Sequence, residues 1–272
     1  MTSINTNVGA LNSRRSALVS TNSMQKAMER LSSGLRVNSA ADDAAGLAVA
    51  GKMEAQLRGI NMAIRNNQDA IGLIQTAEAG INEIRNMVLR IRELAVQMAN
   101  GIYEDSPDRA NAHLEVTALI DQVSLIAGYT RFNDIALING TFSAVDIQAG
   151  NSTTETIAVT IDDMTASGLS INAASVSTQT AAVSAITTMD TALETIATEQ
   201  ATLGSLINRF GFSVNNLSKS SVATEQAVGR IMDADFATES TAVSKQQILN
   251  QAATAMLAQA NSSKQSILAL LQ

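Results

Sequence analysis

A chain of 272 residues with 46% hydrophobic but only 3% aromatic residues, no Trp and a single Pro suits long helices with aliphatic seams, not an enzyme-like core around large pockets. A net charge of −7 with no block of Lys or Arg excludes nucleic acid as a partner. Cys is absent, which excludes a disulfide frame and a thiolate metal site. Neither a cleavable signal sequence nor an apolar run of membrane-spanning length is visible, so no membrane partner is expected.

The first expected helix runs from Ile4 to Leu35, its apolar face formed by Ile4, Val8, Leu11, Leu18, Met24, Met28, Leu31 and Leu35. Asn, Ser and Thr fill its other faces, so it should be weak alone and depend on packing. Gly34 ends it. Ser39 and Asp42 have the spacing of a capping box, with Asp42 and Asp43 in the first turn of the next helix.

The stretch Met53–Asn100 dominates the chain. Met53, Leu57, Ile60, Ile64, Ile71 and Ile74 follow coiled-coil spacing; the phase slips near Ala77 and resumes through Ile81, Ile84, Val88, Ile91, Ala95 and Met98. Such a seam needs partners. Asn100-Gly101 reads as a left-handed stop, and Ser106-Pro107 as the N-cap and first position of a further helix. That helix has an apolar face of Leu114, Ala118, Val123, Leu125 and Ile126.

Alternation every second residue in Val145–Ala149 and Thr156–Ile161, around the turn formers between them, predicts a β-hairpin. Residues 164–180, rich in Ser, Thr and Ala, read as a polar connector, either plain or O-glycosylated. A second long helix follows, with a register at 193, 196, 200, 203, 207, 210, 214, 217, 221, 224, 228 and 231. It is expected to pack antiparallel to Met53–Asn100. Asp235 is placed as the cap of a last helix, which carries Ile248, Leu249, Ala252, Met256, Ala260, Ile267, Leu270 and Leu271 and very few charges. That poverty of charge points to burial in an assembly rather than to a frayed tail.

The fold class expected from these elements is mainly α: a long antiparallel coiled-coil helical bundle with one small β-hairpin near 142–161. No catalytic, cofactor or metal constellation is visible. His113 is the single histidine and has no Cys or partnered Ser, and no glycine-rich phosphate loop or metal-binding His motif occurs.

Several stretches, in this order, resemble bacterial flagellin over nearly the whole chain. They are Ser3-Ile4-Asn5-Thr6-Asn7, Leu31–Ala40 with Asp42-Asp43-Ala44-Ala45-Gly46, Arg90–Gly101, Phe132-Asn133, Asn208-Arg209-Phe210, Leu257–Asn261 and the terminal Leu270-Leu271. The resemblance implies an inner terminal coiled-coil domain, 1–41 plus 233–272, and an outer helical domain, 42–232. It implies a subunit that polymerises into the flagellar filament for swimming, exported by the flagellar type III apparatus and extracellular. The large variable domains many flagellins insert after the hairpin are missing, which implies a minimal form with a smooth, thin filament.

The partners implied are other copies of the chain, an export chaperone at the C-terminal region, filament cap and hook-associated proteins, and host flagellin-sensing receptors. Carried over by residue, Arg90, Glu93, Leu94 and Glu115 would face a Toll-like receptor, with Leu94 partly exposed. Assembly would rest on Ile4, Val8, Leu11, Leu249, Met256, Leu257, Ile267, Leu270 and Leu271. A hook–filament junction protein and an unrelated secreted coiled-coil protein are the alternatives; the Leu31–Gly46 and Arg90–Gly101 stretches favour flagellin proper.

Overall fold

The computed structural model describes residues 6–269, the last three of these by backbone alone. Five helices account for most of them: α1 (Val8–Ser33), α2 (Ala44–Met98), α3 (Ala110–Tyr129), α4 (Gln179–Met232) and α5 (Phe236–Ala269). Two short antiparallel pairs, β1 (Arg131–Phe132) with β2 (Ile135–Ala136) and β3 (Val145–Gln148) with β4 (Thr156–Val159), lie between α3 and α4. Cα packing divides the chain into two units, 1–57 with 222–272 and 58–221, and α2 and α4 supply residues to both.

In unit 58–221, α2 and α4 run antiparallel. Gln179 Nε2 donates to the Ala99 carbonyl, Arg92 pairs with Asp190 at 2.6 Å, Gln200 Nε2 donates to Asn82 Oδ1, and Ser221 Oγ donates to Asn61 Oδ1. The central seam of α2 is Ile60, Ala63, Asn67, Ala70, Ile74, Ala77, Ile81, Ile84, Val88, Ile91, Ala95 and Met98, with Leu73 and Leu94 buried beside it. Gaps of three and four alternate along it without a break, so the expected phase slip near Ala77 does not exist. The seam there is carried by Ala and one Asn, while Ile64 and Ile71 stand to its side, half buried.

The α4 register is shifted in the same way. Ile196, Leu203 and Phe210 are buried as expected, but Ala192, Glu199 and Leu206 take the alternate positions that Leu193, Gln200 and Ile207 were expected to fill. A third layer on this side draws the seam over by one residue. The layer is α3 together with the connector, whose Met164, Ala166, Leu169, Ile171 and Val176 are all buried. The connector is therefore anchored in the core through these five residues, with Ser167, Ser170, Asn172 and Thr178 exposed between and after them, and is not a loose polar linker.

The inward face of α3 is Val116, Ile120, Val123 and Ala127; Leu114, Ala118 and Leu125 point to solvent, against expectation. The stripe starting at Val116 brings four apolar residues onto one face, whereas Leu114 would bring Asp121 in with it. Pro107 does not open α3. It lies in a wide turn, Asp105–Arg109, one step ahead of the helix, behind a cis Ser106–Pro107 bond.

The predicted hairpin is present, with Val145 opposite Val159 and Gln148 opposite Thr156. Its tip lies on α2 where Gly59 leaves room: a Cβ there would collide with the Asn151 side chain. Gly80 likewise admits Thr130, which a Cβ would meet at 2.6 Å.

Unit 1–57 with 222–272 is held by α1 and α5, again antiparallel. Asn7 Nδ2 donates to the Ala260 carbonyl, Asn250 Nδ2 donates to Thr21 Oγ1 at 2.6 Å, and Arg30 pairs with Glu239 at 3.1 Å. Gly34 adopts the left-handed conformation (φ 72°) that stops α1, as expected. The chain then pairs with the segment entering α5: Ala234 N–H donates to the Gly34 carbonyl and Arg36 N–H to the Met232 carbonyl. Among the described residues α1 begins at Val8, capped by Asn7; Ile4 lies outside them. α2 begins at Ala44, with Asp43 accepting from the Gly46 N–H at 2.8 Å. Asp42 instead closes a turn of its own with the Ser39 hydroxyl and N–H, which corrects the expected capping box and holds the Asp42 carboxyl below its ordinary range.

Candidate assembly and recognition surfaces

In α1 the inward residues are Ala10, Ser13, Ala17, Ser20, Met24, Ala27 and Leu31, again at alternating gaps of three and four. The covered residues of α5 include Asn250, Ala253, Leu257 and Ala260, of which Asn250 bonds to Thr21 and the Ala260 carbonyl accepts from Asn7. Small side chains let the two helices approach closely, but they bury little apolar area. Apart from Met24, Leu31 and Leu257, most of the large apolar residues face away from the pair. Val8 is 58% exposed and Met256 62%, and Leu11, Leu18, Val19, Met28, Phe236, Ile248 and Leu249 are exposed as well.

The expected apolar face of α1 is thus split: Val8, Leu11, Leu18 and Met28 point outward, whereas Met24 and Leu31 lie inward. Of the residues assigned to assembly, Val8, Leu11, Leu249 and Met256 are exposed, and Leu257 is half buried against α1. Ile4, Leu270 and Leu271 lie outside the described residues, as does the side chain of Ile267. Asp235 caps α5 as expected, accepting from Ala237 N–H and from the Thr238 N–H and hydroxyl; the Thr238 bonds lead in holding its carboxyl below the ordinary range.

On the other unit, Arg90 stands between two carboxylates. It reaches Glu115 of α3 at 2.9 Å and Glu93 at 3.3 Å, and all three side chains are open to solvent. The Glu115 bond chiefly raises the guanidinium pKa further. Leu94 is not beside them on the surface: it is 4% exposed and belongs to the core cluster. Next to Ala95, it packs into the third layer, and this corrects its expected partial exposure.

Sequence reasoning missed two buried ionisable groups. Glu199 sits in the α4 seam at 4% exposure, its Oε1 accepting from the Asp162 N–H at 3.4 Å, and burial pushes its carboxyl above the ordinary value. Arg109, also 4% exposed, closes the end of α2. Its guanidinium donates to the Met98 carbonyl at 2.8 Å and the Asn100 carbonyl at 2.9 Å, and pairs with Asp105 at 2.7 Å. The end of α2 is therefore stopped by a side chain; Gly101 does not hold the expected left-handed conformation. A legible signal existed only for Glu199, which falls one position from the expected seam.

Among the described residues no three His, Asp or Glu side chains converge to hold a metal ion. The surfaces that stand out are an outward apolar skin on a thin helix pair and an exposed ion triad on a densely packed bundle.

A sequence model of the bacterial flagellin N-terminal helical region matches residues 4–143, and one of the bacterial flagellin C-terminal helical region matches residues 186–271. The chain belongs to the bacterial flagellin family. A flagellin of Halalkalibacterium halodurans is 40% identical over 271 residues, with 99% of both chains covered. A flagellar filament core protein of Brachyspira hyodysenteriae is 39% identical over 284 residues, again with 99% of both covered. The crystal structure of Bacillus cereus flagellin superposes with a TM-score of 0.51 at 32% identity, over 56% of this chain and 88% of that one.

Proposed function

We propose that the outward apolar faces of α1 and α5 are the surface through which copies of this chain join. The chain is a structural subunit of the flagellar filament. The observation that supports this location is the outward set of large apolar side chains on α1, Val8, Leu11, Leu18, Val19 and Met28, against an inward face that is mostly Ala and Ser with Met24 and Leu31. Burying one such side chain is worth about 1.5–3 kcal/mol, so a handful per subunit supplies a strong drive to associate.

The test replaces Val8, Leu11, Ile248 and Met256 by Ser and seeds polymerisation of the purified monomer. Loss of filaments by electron microscopy with unchanged helical content is the expected result. Normal filaments from the fourfold variant would refute the surface. Deleting residues 233–272 should likewise abolish polymerisation.

Receptor recognition is placed on the exposed triad Arg90, Glu93 and Glu115, with Leu94 acting from beneath by fixing the backbone that carries them. Reversing Glu115 to Lys should weaken binding of a host flagellin-sensing receptor to the monomer; unchanged binding would move the site elsewhere. Export by the flagellar type III apparatus, an export chaperone at the C-terminal region, contacts with filament cap and hook-associated proteins, and an extracellular location complete the reading.

A further inference from the structure

We propose that Asn100-Gly101 is a site of spontaneous deamidation, promoted by the folded turn that surrounds it. Asn100 and Gly101 follow the last turn of α2 and are both exposed. Glycine has no side chain to block approach to its own nitrogen, and among the described residues the Gly101 N–H donates no hydrogen bond. That nitrogen is one bond from the Asn100 backbone carbonyl, and this carbonyl accepts from Arg109 Nη2 at 2.9 Å and from the Tyr103 N–H at 3.4 Å.

A guanidinium on the carbonyl oxygen stabilises the imidate anion left when the adjoining N–H ionises, because negative charge then resides largely on that oxygen. Arg109 is buried, so its bond is weakly screened, although Asp105 shares its charge. The electrophile is activated as well. Asn100 Oδ1 accepts from the Ile102 N–H at 3.2 Å, which polarises the side-chain carbonyl and steadies the oxyanion formed on attack.

The chemistry needs only water. Solvent hydroxide removes the Gly101 proton; the nitrogen attacks Asn100 Cγ, forming a C–N bond, and the side-chain nitrogen leaves as ammonia. The resulting five-membered imide adds water at either carbonyl. Ring opening leaves aspartate or isoaspartate at position 100, with one carboxylate gained for each ammonia released. That carboxylate stands at the negative end of the α2 dipole, and the isoaspartyl form lengthens the backbone under the Arg109 bonds, so the last turn of α2 should loosen.

The chain has an internal comparison. Asn139-Gly140 is the same dipeptide, and its Oδ1 accepts from the Thr141 N–H and hydroxyl. Among the described residues no donor sits on the Asn139 backbone carbonyl, and the Asp163 carboxyl lies against Gly140, which opposes ionisation of its N–H. Position 139 should lag position 100 in the folded chain, and the gap should close on unfolding.

The test incubates the full chain in mildly alkaline buffer, native and in concentrated urea, and follows amide loss at both positions by peptide mass spectrometry with an isoaspartate assay. Native loss at Asn100 should run about tenfold faster than in urea, the factor that one well-placed donor supplies. Arg109→Lys, which cannot hold both carbonyls, should remove most of that excess. Gly101→Ala meets only Gln179 Nε2 at 3.5 Å and needs no positive φ, so it should fold and suppress the reaction. A native rate at or below the urea rate overturns the proposal. So does an unchanged or faster native rate in a folded Arg109→Lys protein. Should that variant fail to fold, the native-against-urea comparison on the unaltered chain still decides.

Discussion

Asn67 is completely buried in the α2 seam, where its Nδ2 donates to the Ala63 carbonyl at 2.6 Å and the Ala149 carbonyl at 2.9 Å. The second bond fastens the hairpin to α2, as does Asn66, which donates to the Gln148 carbonyl, while Ser213 Oγ of α4 donates to the Ala149 carbonyl at 3.4 Å. A buried polar side chain at a seam position rejects registers that would leave it unpaired. Asn67→Ala should cost about 2–4 kcal/mol in urea unfolding, combining lost hydrogen bonds with a cavity. A cost of a few tenths would mean that the hairpin is held elsewhere.

Glu199 gives the opposite case, a seam position where the native side chain is unfavourable. Its folded pKa lies above the ordinary 4.5 because burial disfavours the carboxylate, with Asp162 adding repulsion and the Asp162 N–H bond opposing the rise. The group therefore contributes most below the unfolded pKa, and that contribution is lost as pH rises through the folded one. Lowering the pH from neutrality toward 4.5 should increase the contribution of Glu199 to stability, seen as a urea midpoint that rises relative to that of Glu199→Gln. In Glu199→Gln the midpoint at neutral pH should be higher and this part of the pH dependence gone. A variant with an unchanged pH profile would show that Glu199 is solvated in solution.

At the scale of elements, the continuous α2 seam leads to a test at Ala77. This residue is fully buried, in line with Ile74 and Ile81. Ala77→Leu should destabilise by about 1–3 kcal/mol through overpacking, whereas at a break in register the larger side chain would be tolerated. The same position shows what periodicity in a sequence can and cannot convey. Large aliphatic residues announce a stripe, so the two long helices, the capping Asp235, the Gly34 stop and the β3–β4 alternation were all legible. Whether a stripe faces inward depends on what the neighbouring element brings.

For α1 the facing side of α5 is mostly small or polar, which leaves Val8, Leu11, Leu18 and Met28 outside while Met24 and Leu31 turn inward. In α2 Ala and Asn fill seam positions that a search for Leu and Ile passes over. In α4 the packed connector moves the seam by one residue, and that connector has no period because it is irregular backbone. The β1–β2 turn is not legible in the sequence for another reason. Asn133 and Asp134 both have positive φ (49° and 63°), as Asn and Asp tolerate, but strands of two residues leave no alternation to read.

At the scale of the molecule, the two units differ in how they exclude water. Unit 58–221 holds one continuous cluster of large aliphatic side chains, from Ala70 to Phe210. Among the described residues of the other unit, only Ser20, Ala27, Val37, Ala50 and Ala253 are fully buried. Helices with so little buried area open by local fluctuation, since an isolated pair gains little to offset the entropy of ordering. Amide hydrogen exchange on the monomer should therefore find α1 and α5 exchanging much faster than the Ile81–Met98 part of α2. In seeded filaments both terminal helices should become protected, because neighbouring copies then cover Val8, Leu11, Ile248 and Met256. The protection of Ile81–Met98 should change far less. If α1 and α5 are already as protected in the monomer as α2, the terminal pair is stable alone and its outward side chains are not what drives assembly. If they gain no protection in the filament, the contact surface lies on another face of the subunit.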